Sequence, residues 1–464
     1  MNQPPASHET TSGASAGRDF VADLVARHFQ AERGQLLIGG LPVGEMAARH
    51  GTPLFVYDAE ALTRSWRTLA DVLPAGFEIF YSVKANPNQA ILRLFLELGC
   101  GLEIASSGEL QQALAAGCPP QRIFFAGPGK TDAELTAALA CGLGEVHVES
   151  LGELRRIAAL ARSCDRQARI ALRINPAAEI EGAGMRMGGR SAPFGIDEDQ
   201  LDAVLDAASA EPSLHVSGLH LHVGTQILDH QLLLRQYSVA IELALRLAAR
   251  LGRPLETIDF GGGLGVPYFA HERRLDLDQL RAGLAGLLRP ARAQPALART
   301  RFVLEPGRFL VAEAGVYLAR VTDVKQSRGT TYVVTDGGMH QHLAASGHLG
   351  QTIKRNFPVA VVNRLDHPKS AVVDVVGPLC TPLDMLARGI RLPLPEVGDL
   401  IGVFQSGAYA RAASPLGFLS HPSPPEVLVE HGQDRVIRRR GRDEDYLSDQ
   451  PAAAADSLQR HGQT

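Results

Sequence analysis

Residues 77–126 read FEIFYSVKANPNQAILRLFLELGCGLEIASSGELQQALAAGCPPQRIFFA. Three short runs rich in aromatic and branched residues (FEIFYSV, GLEIA and RIFFA) alternate with Ala/Leu-rich stretches, and turn residues mark the joins. Runs of this length predict buried strands, and the stretches between them predict helices. The rhythm continues outward. Strands are predicted at Phe77–Val83, Gly101–Ala105, Arg122–Ala126, Glu145–Val148, Arg169–Ile174, Ser217–Val223, Thr257–Phe260 and Arg301–Leu304. Strong helix formers such as GELQQALAAG, DAELTAALACG, GELRRIAALARS and QYSVAIELALRLAARLG lie between them. Strand–helix alternation implies a parallel sheet. Eight units are what a (β/α)8 TIM barrel requires, which favours it over an open doubly wound sheet.

After Arg308 the pattern changes. Val316–Val324, Thr331–Val334, Ala371–Val376, Asp399–Val403 and Val427–Leu428 read as short strands punctuated by Gly and Pro, without long helices between them. That predicts a second, antiparallel β module of sandwich or barrel type. Residues 36–58 contain two apolar strand-like runs ahead of the barrel, suited to joining that module. The expected division is a disordered leader over 1–35, the 36–58 segment, a barrel over 59–310, a β-domain over 311–432 and a disordered tail over 433–464. Both ends are too rich in small and polar residues to bury much apolar surface.

Composition bounds the function. The chain has 464 residues, with 46 Lys+Arg against 50 Asp+Glu and a formal net charge of −4. Nucleic-acid and membrane-surface binders want a basic excess, so neither partner is expected. Hydrophobic content of 45% with 21% charged residues is that of a chain with a sizeable core. The best apolar run, around Ala90–Leu102, is broken by Arg93 and Glu97. The N-terminus lacks the basic start and apolar stretch of a secretory leader, and a cytoplasmic location is expected. Cys100, Cys118, Cys141, Cys164 and Cys380 are scattered, without a CxxC pair, so neither a disulfide framework nor a metal site is expected.

In a TIM barrel, chemistry collects at the carboxyl ends of the strands. The first strand runs into Lys84, the sixth carries His220 and His222 before Gly224-Thr225, the seventh opens into Gly261-Gly262-Gly263, and the eighth ends Glu305-Pro306-Gly307-Arg308. Singly, each is commonplace: a strand-end lysine is ordinarily solvated or salt-bridged, and a glycine triplet is ordinarily a tight turn. Together at one mouth they suit pyridoxal 5′-phosphate. Its phosphate wants backbone amides after strands seven and eight, its aldehyde wants a lysine, and its ring wants a flat partner and a charged group at nitrogen.

These residues carry a family resemblance. YSVKAN, HLHVGTQ, DFGGGLG, EPGR and GPLCTPLD, in this order, resemble the fold-type III pyridoxal-phosphate decarboxylases acting on ornithine, arginine and diaminopimelate. The resemblance covers about residues 36–429 and implies an alanine-racemase-like barrel, a β-domain, and a homodimer with shared active sites. It implies that Lys84 holds the cofactor covalently, that His222 stacks on its ring, and that Thr225, Gly261, Gly262, Gly263, Gly307, Arg308 and Tyr409 surround its phosphate. Glu305 resembles the carboxylate paired with the pyridine nitrogen. A carboxylate there keeps the ring a strong electron sink and argues for decarboxylation over racemisation. Cys380 resembles the catalytic cysteine supplied across the dimer interface. Arg308, Asp336, Thr381, Asp384 and Tyr409 resemble substrate-side residues.

Two departures bear on the substrate. Diaminopimelate enzymes usually continue Cys-Glu-Ser where this chain has Cys380-Thr381-Pro382, and Ala344 stands where their distal-carboxylate arginine would sit. Loss of both charge partners argues against free diaminopimelate, because desolvating an unpaired charge costs several kcal/mol. HLAASG, VFQSGAYA and SPLGFLSHPSP look more like a branch that includes exosortase-associated and glutamyl-carrier-protein decarboxylases. The expected substrate is therefore a modified or carrier-tethered amino acid. Diaminopimelate decarboxylation is the alternative. A non-catalytic, pyridoxal-phosphate-binding regulator is a further one, although such relatives lose the lysine or the cysteine.

Overall fold

The computed structural model describes residues 19–177, 185–186, 191–351 and 353–451. Eight parallel strands close on themselves: β1 (Phe77–Ser82), β2 (Gly101–Ile104), β3 (Ile123–Phe125), β4 (Glu145–Val148), β5 (Ala168–Asn175), β6 (Leu214–His220), β7 (Thr257–Asp259) and β8 (Arg301–Leu304). Closure comes from β8 pairing with β1, where Phe302 lies opposite Phe77. The β4–β5 pair, with Val146 opposite Ile170, joins the two halves of the ring. Each expected barrel strand is present, and the eight are nearly continuously buried, as strands covered on both faces must be.

Local chemistry starts the outer helices. Ser106 and Ser150 cap Ser107–Ala115 and Leu151–Ser163 by accepting from the amides of Glu109 and Glu153. Thr131 and Glu134 form a reciprocal capping box at the start of Asp132–Cys141. Inside the barrel, Phe80, Phe124 and Val303 fill an apolar layer, with the two phenyl rings 4.1 Å apart. Beside this layer the lining turns polar: Glu145, His147, His220 and Asp259 are all buried. His147 stands next to Phe124, with ring centroids 5.4 Å apart.

The second domain is built around the long strand Gly315–Ser327, which pairs with Leu54–Asp58, Thr330–Thr335 and Leu400–Val403. Leu54–Asp58, although it precedes the barrel in the chain, sits between Gly315–Ser327 and Glu426–Glu430. The sheet is mixed rather than wholly antiparallel, because Thr330–Thr335 runs parallel to Ala371–Val376 and Glu426–Glu430 runs parallel to Leu54–Asp58. Strands Val359–Val361, Met385–Leu392 and Gln433–Arg438 complete it without having been expected from the sequence.

Both expected termini need correction. Residues 19–35 are not a disordered leader: Phe20–His28 is a helix, and its Leu24 and the following Phe29 are buried in the second-domain core. The tail does not begin at 433, since Gln433–Arg438 pairs with Glu426–Glu430 and Arg439 meets Asp445 at 2.7 Å. Backbone pairing orders these polar residues where hydrophobicity could not. Residues 1–18 and 452–464 lie outside the described residues. Among the described residues no helix is long and apolar enough to cross a membrane.

Candidate active site

Lys84 lies in the single turn Val83–Ala85 that follows β1. Its Nζ donates to Glu103 Oε2 at 2.7 Å, and Glu103, on β2, also accepts from the Ser82 hydroxyl. The Lys84 side chain is 47% exposed toward the barrel mouth, whereas Glu103 is 1% exposed. Being enclosed by protein would lower the ammonium's pKa, but Glu103, Tyr409 and Glu305 outweigh that and raise it.

His222 stands at the mouth after β6. Its Nδ1 accepts from the Gly262 amide at 3.1 Å, which leaves the ring proton on Nε2. Burial, reinforced by Arg173 and Lys84, depresses its pKa to about 3, so the ring is neutral. The glycine turn after β7 has no room for side chains. A Cβ on Gly261 would meet His222 Nδ1 at 2.7 Å, and one on Gly262 would meet the Glu305 carbonyl oxygen at 2.5 Å. Gly263 has φ +96, and a Cβ there would meet the Gly224 carbonyl oxygen at 2.9 Å. Thr225 follows Gly224 in a two-residue strand paired with residues 185–186.

Below the mouth lies a cluster of which sequence reasoning reached only His220 and Glu305. His147, His220, Asp259 and Glu305 place their polar atoms within 4.8 Å of one another. The two imidazole rings are 4.3 Å apart, and His220 Nε2 is 3.4 Å from Glu305 Oε2. Burial and then the Glu305 charge push Asp259 well above the usual carboxylate range. Its Oδ1 accepts from the Gly261 amide at 2.8 Å, tying the cluster to the glycine turn. The missed signal was charge inside short buried strands: EVHV in β4 places Glu145 and His147 on one face, and TID in β7 carries Asp259.

Arg308 projects from the short helix after β8 between two phenols. Its Nη1 donates to the Tyr268 hydroxyl at 2.9 Å, and its guanidinium lies 4.8 Å from the centre of the Tyr409 ring. Tyr409 comes from the second domain, with φ +53, and its amide donates to the Ala85 carbonyl at 2.9 Å. The second domain thus closes over the residue next to Lys84. Gly307 permits the turn, since a Cβ would meet Ala85 Cβ at 2.9 Å.

The fold therefore brings together Lys84, His222, Gly261, Gly262, Gly263, Glu305, Gly307, Arg308 and Tyr409. It does not bring Cys380, Thr381, Asp336 or Asp384 into hydrogen bonds with them among the described residues. Cys380 is exposed. The Thr381 hydroxyl is used within its own turn, accepting from the Leu383 amide at 3.3 Å. Asp336 accepts from Thr52 and from the Arg320 amide. Asp384 accepts from the amides of Met339 at 2.6 Å and Leu379 at 2.8 Å, so its carboxylate fastens the Cys380 loop to the 336–339 turn.

The residues at the mouth fit pyridoxal phosphate. Lys84 offers an amine. The side-chain-free turn 261–263 and the buried, unpartnered Arg308 Nε suit an anion. Glu305 keeps a buried Oε1 without a hydrogen-bond partner, as a carboxylate awaiting a ring N–H would.

The chain is similar to known proteins along most of its length. Residues 59–312 match the family model described as pyridoxal-dependent decarboxylase, pyridoxal binding domain. The chain is 37% identical over 408 residues to the L-glutamyl-[BtrI acyl-carrier protein] decarboxylase of Niallia circulans, covering 87% of this chain and 95% of that one. It is 34% identical to the diaminopimelate decarboxylase of Methanothermobacter thermautotrophicus, covering 91% and 97%. Superposed on diaminopimelate decarboxylase from M. jannaschii in co-complex with L-lysine, it gives a TM-score of 0.84 at 26% identity, covering 92% and 98%.

Proposed function

The chain belongs to the pyridoxal-dependent decarboxylase family, and from that premise we propose that it removes the α-carboxyl group of an amino acid whose side chain is extended, as when joined to a carrier protein. It is a carboxy-lyase whose cofactor is pyridoxal 5′-phosphate. When bound, the cofactor supplies an electron sink for the pair left at the α-carbon as CO₂ departs.

The chain's residues supply the rest. Lys84 would hold the cofactor, and Glu103 accepts from its ammonium at the barrel mouth. Neutral His222, oriented by Gly262, supports the ring face. Glu305, beside Asp259 in the buried cluster, is the carboxylate that would pair with the cofactor's ring nitrogen. Arg308, clamped by Tyr268 and Tyr409, neutralises an anion next to the glycine turn. Cys380 protonates the α-carbon. Because it is exposed and makes no bond to its own barrel mouth, we place it in the site of a second copy, in a cytoplasmic homodimer.

The observation that carries the substrate reading is the absence of charge at the two positions that would grip a charged side-chain end. Thr381 and Ala344 offer no charge, and Ala344 is 6% exposed. Asp384, the one carboxylate of the Cys380 loop, already accepts from two backbone amides. The test is CO₂ release by the cofactor-loaded protein from meso-diaminopimelate, ornithine, arginine, glutamate and glutamate loaded on an acyl-carrier protein. Turnover of the carrier-loaded substrate alone is expected. Rapid release from diaminopimelate with silence on the loaded carrier would overturn the reading. It would favour lysine-forming decarboxylation, which the alignment over 91% of this chain with a diaminopimelate decarboxylase supports.

A further inference from the structure

Beside the loop that carries Cys380, the second domain holds a cavity of about 170 Å³ whose walls include Ser346, His348, Lys354, Arg355, Leu383 and Arg388. Basic groups converge on it without acidic partners. Lys354 Nζ donates to His348 Nε2 at 3.0 Å, and Arg355 Nη1 donates to His271 Nε2 at 2.8 Å. Among the described residues, neither of them nor Arg388 has a carboxylate within ion-pairing distance. Several cations elsewhere on the surface are paired directly with carboxylates, as in Arg156 with Asp132 at 2.7 Å and Arg439 with Asp445 at 2.7 Å.

The cavity is built rather than incidental. The Asn356 amide clasps the Arg388 backbone from both sides, donating to its carbonyl at 2.7 Å and accepting from its N–H at 2.8 Å. This fixes the strand Met385–Leu392 to the segment that carries Lys354 and Arg355. A packed path leads back to the barrel mouth. Arg308 meets the Tyr268 hydroxyl, the Tyr268 ring lies 4.8 Å from Phe357, and Phe357 is two residues from Arg355. Leu383, on the cavity wall, is apolar and 50% accessible. Clustered, unneutralised cations in a cavity beside the Cys380 loop suit an arm that carries an anionic phosphodiester, whose non-bridging oxygens accept from Lys and Arg.

We infer that this groove binds the phosphate group of the arm tethering the amino acid to its carrier, an inference that rests on the carrier-bound reading above. The phosphate sits among Lys354, Arg355 and Arg388, and the arm passes Leu383 toward the mouth that Cys380 serves.

The test titrates cofactor-loaded enzyme with 4′-phosphopantetheine, with pantetheine lacking the phosphate, and with inorganic phosphate. The wild type, Lys354→Glu and Arg388→Glu are compared, with melting temperature and bound-cofactor absorbance confirming that each variant is folded and loaded. Phosphopantetheine is expected to bind wild type at least about tenfold more tightly than either other probe, and to lose at least about tenfold in each variant. Equal affinity for pantetheine, equal affinity for inorganic phosphate, or binding indifferent to both charge reversals overturns the inference. Turnover of a carrier-loaded amino acid without phosphopantetheine binding removes the groove and leaves the decarboxylase reading standing. Binding through Lys354 and Arg388 with no turnover of any loaded carrier does the reverse.

Discussion

Lys84 and Glu103 form an ion pair at 2.7 Å in which the carboxylate is buried and the ammonium faces the barrel mouth. Glu103 favours the charged lysine, so it opposes formation of the free amine that must attack an aldehyde. Glu103→Gln removes the strongest attraction on that proton, the Lys84 pKa falls, and more free amine is present at neutral pH. The pH profile for loading of apoenzyme with cofactor is expected to move to lower pH by about one unit or more, each unit corresponding to about 1.4 kcal/mol. Tyr409 and Glu305 also act on Lys84 and remain in the variant. An unmoved profile would remove Glu103 from control of the lysine.

Lys84→Ala is expected to lose covalently held cofactor and to lower activity by more than about a thousandfold. Borohydride reduction followed by peptide mass analysis should mark Lys84 in wild type and no residue in the variant. A cofactor adduct at another lysine would overturn the assignment.

Cys380→Ala is expected to load cofactor normally yet lose about a hundred- to a thousandfold in kcat, as for removal of a general acid. If Cys380 serves the neighbouring subunit, mixing this variant with Lys84→Ala regenerates one intact site per mixed dimer and restores up to about a quarter of wild-type activity. A mixture as inactive as its components would place Cys380 in its own subunit's site or outside the chemistry.

Gly262→Ala drives a methyl group to 2.5 Å from the Glu305 carbonyl oxygen, and a cost of about 1–3 kcal/mol is expected together with weaker cofactor retention. Gly286, within the helix Leu277–Ala293, has no atom within 4 Å of a built Cβ, so Gly286→Ala should be neutral or stabilising. Equal melting temperatures for the two variants would show that the turn yields to a side chain.

His342 is buried in the second domain, its Nε2 2.9 Å from the Ser406 hydroxyl and its Nδ1 accepting from the Ala345 amide at 3.2 Å. Burial depresses its pKa to about 3. The unfolded chain therefore binds a proton below about pH 6.5 that the native state refuses, and stability falls as pH drops from about 6.5 toward 3. In His342→Gln the slope of stability against pH over that window should lessen by about one proton. An unchanged slope would mean that the native ring takes up its proton freely.

Much of this was legible in the chain. The barrel followed from eight buried strand runs with helix formers between them, because a strand covered on both faces must be apolar nearly throughout. Lys84, His222, Gly261–Gly263, Glu305 and Arg308 could be placed at one mouth because each ends or follows a strand, and parallel strands send all such ends the same way. The strands Val359–Val361 and Met385–Leu392 were not legible. The first is three residues long, and the second, MLARGIRL, interrupts its apolar pattern with Arg388 and Gly389.

By itself, then, the sequence determined the barrel and which residues stand at its mouth, since local periodicity and strand ends need no knowledge of distant contacts, and through its ordered motifs it pointed to the chemical class. Only the tertiary structure decided that Leu54–Asp58 lies between strands some 260 and 370 residues later in the chain and that Asp259 shares its burial with Glu305. The same holds for Glu103 at the Lys84 amine and for Lys354, Arg355 and Arg388 around one cavity. These relations join residues remote in sequence, whose charges acquire meaning only when folding removes water and sets them within a few ångströms of one another.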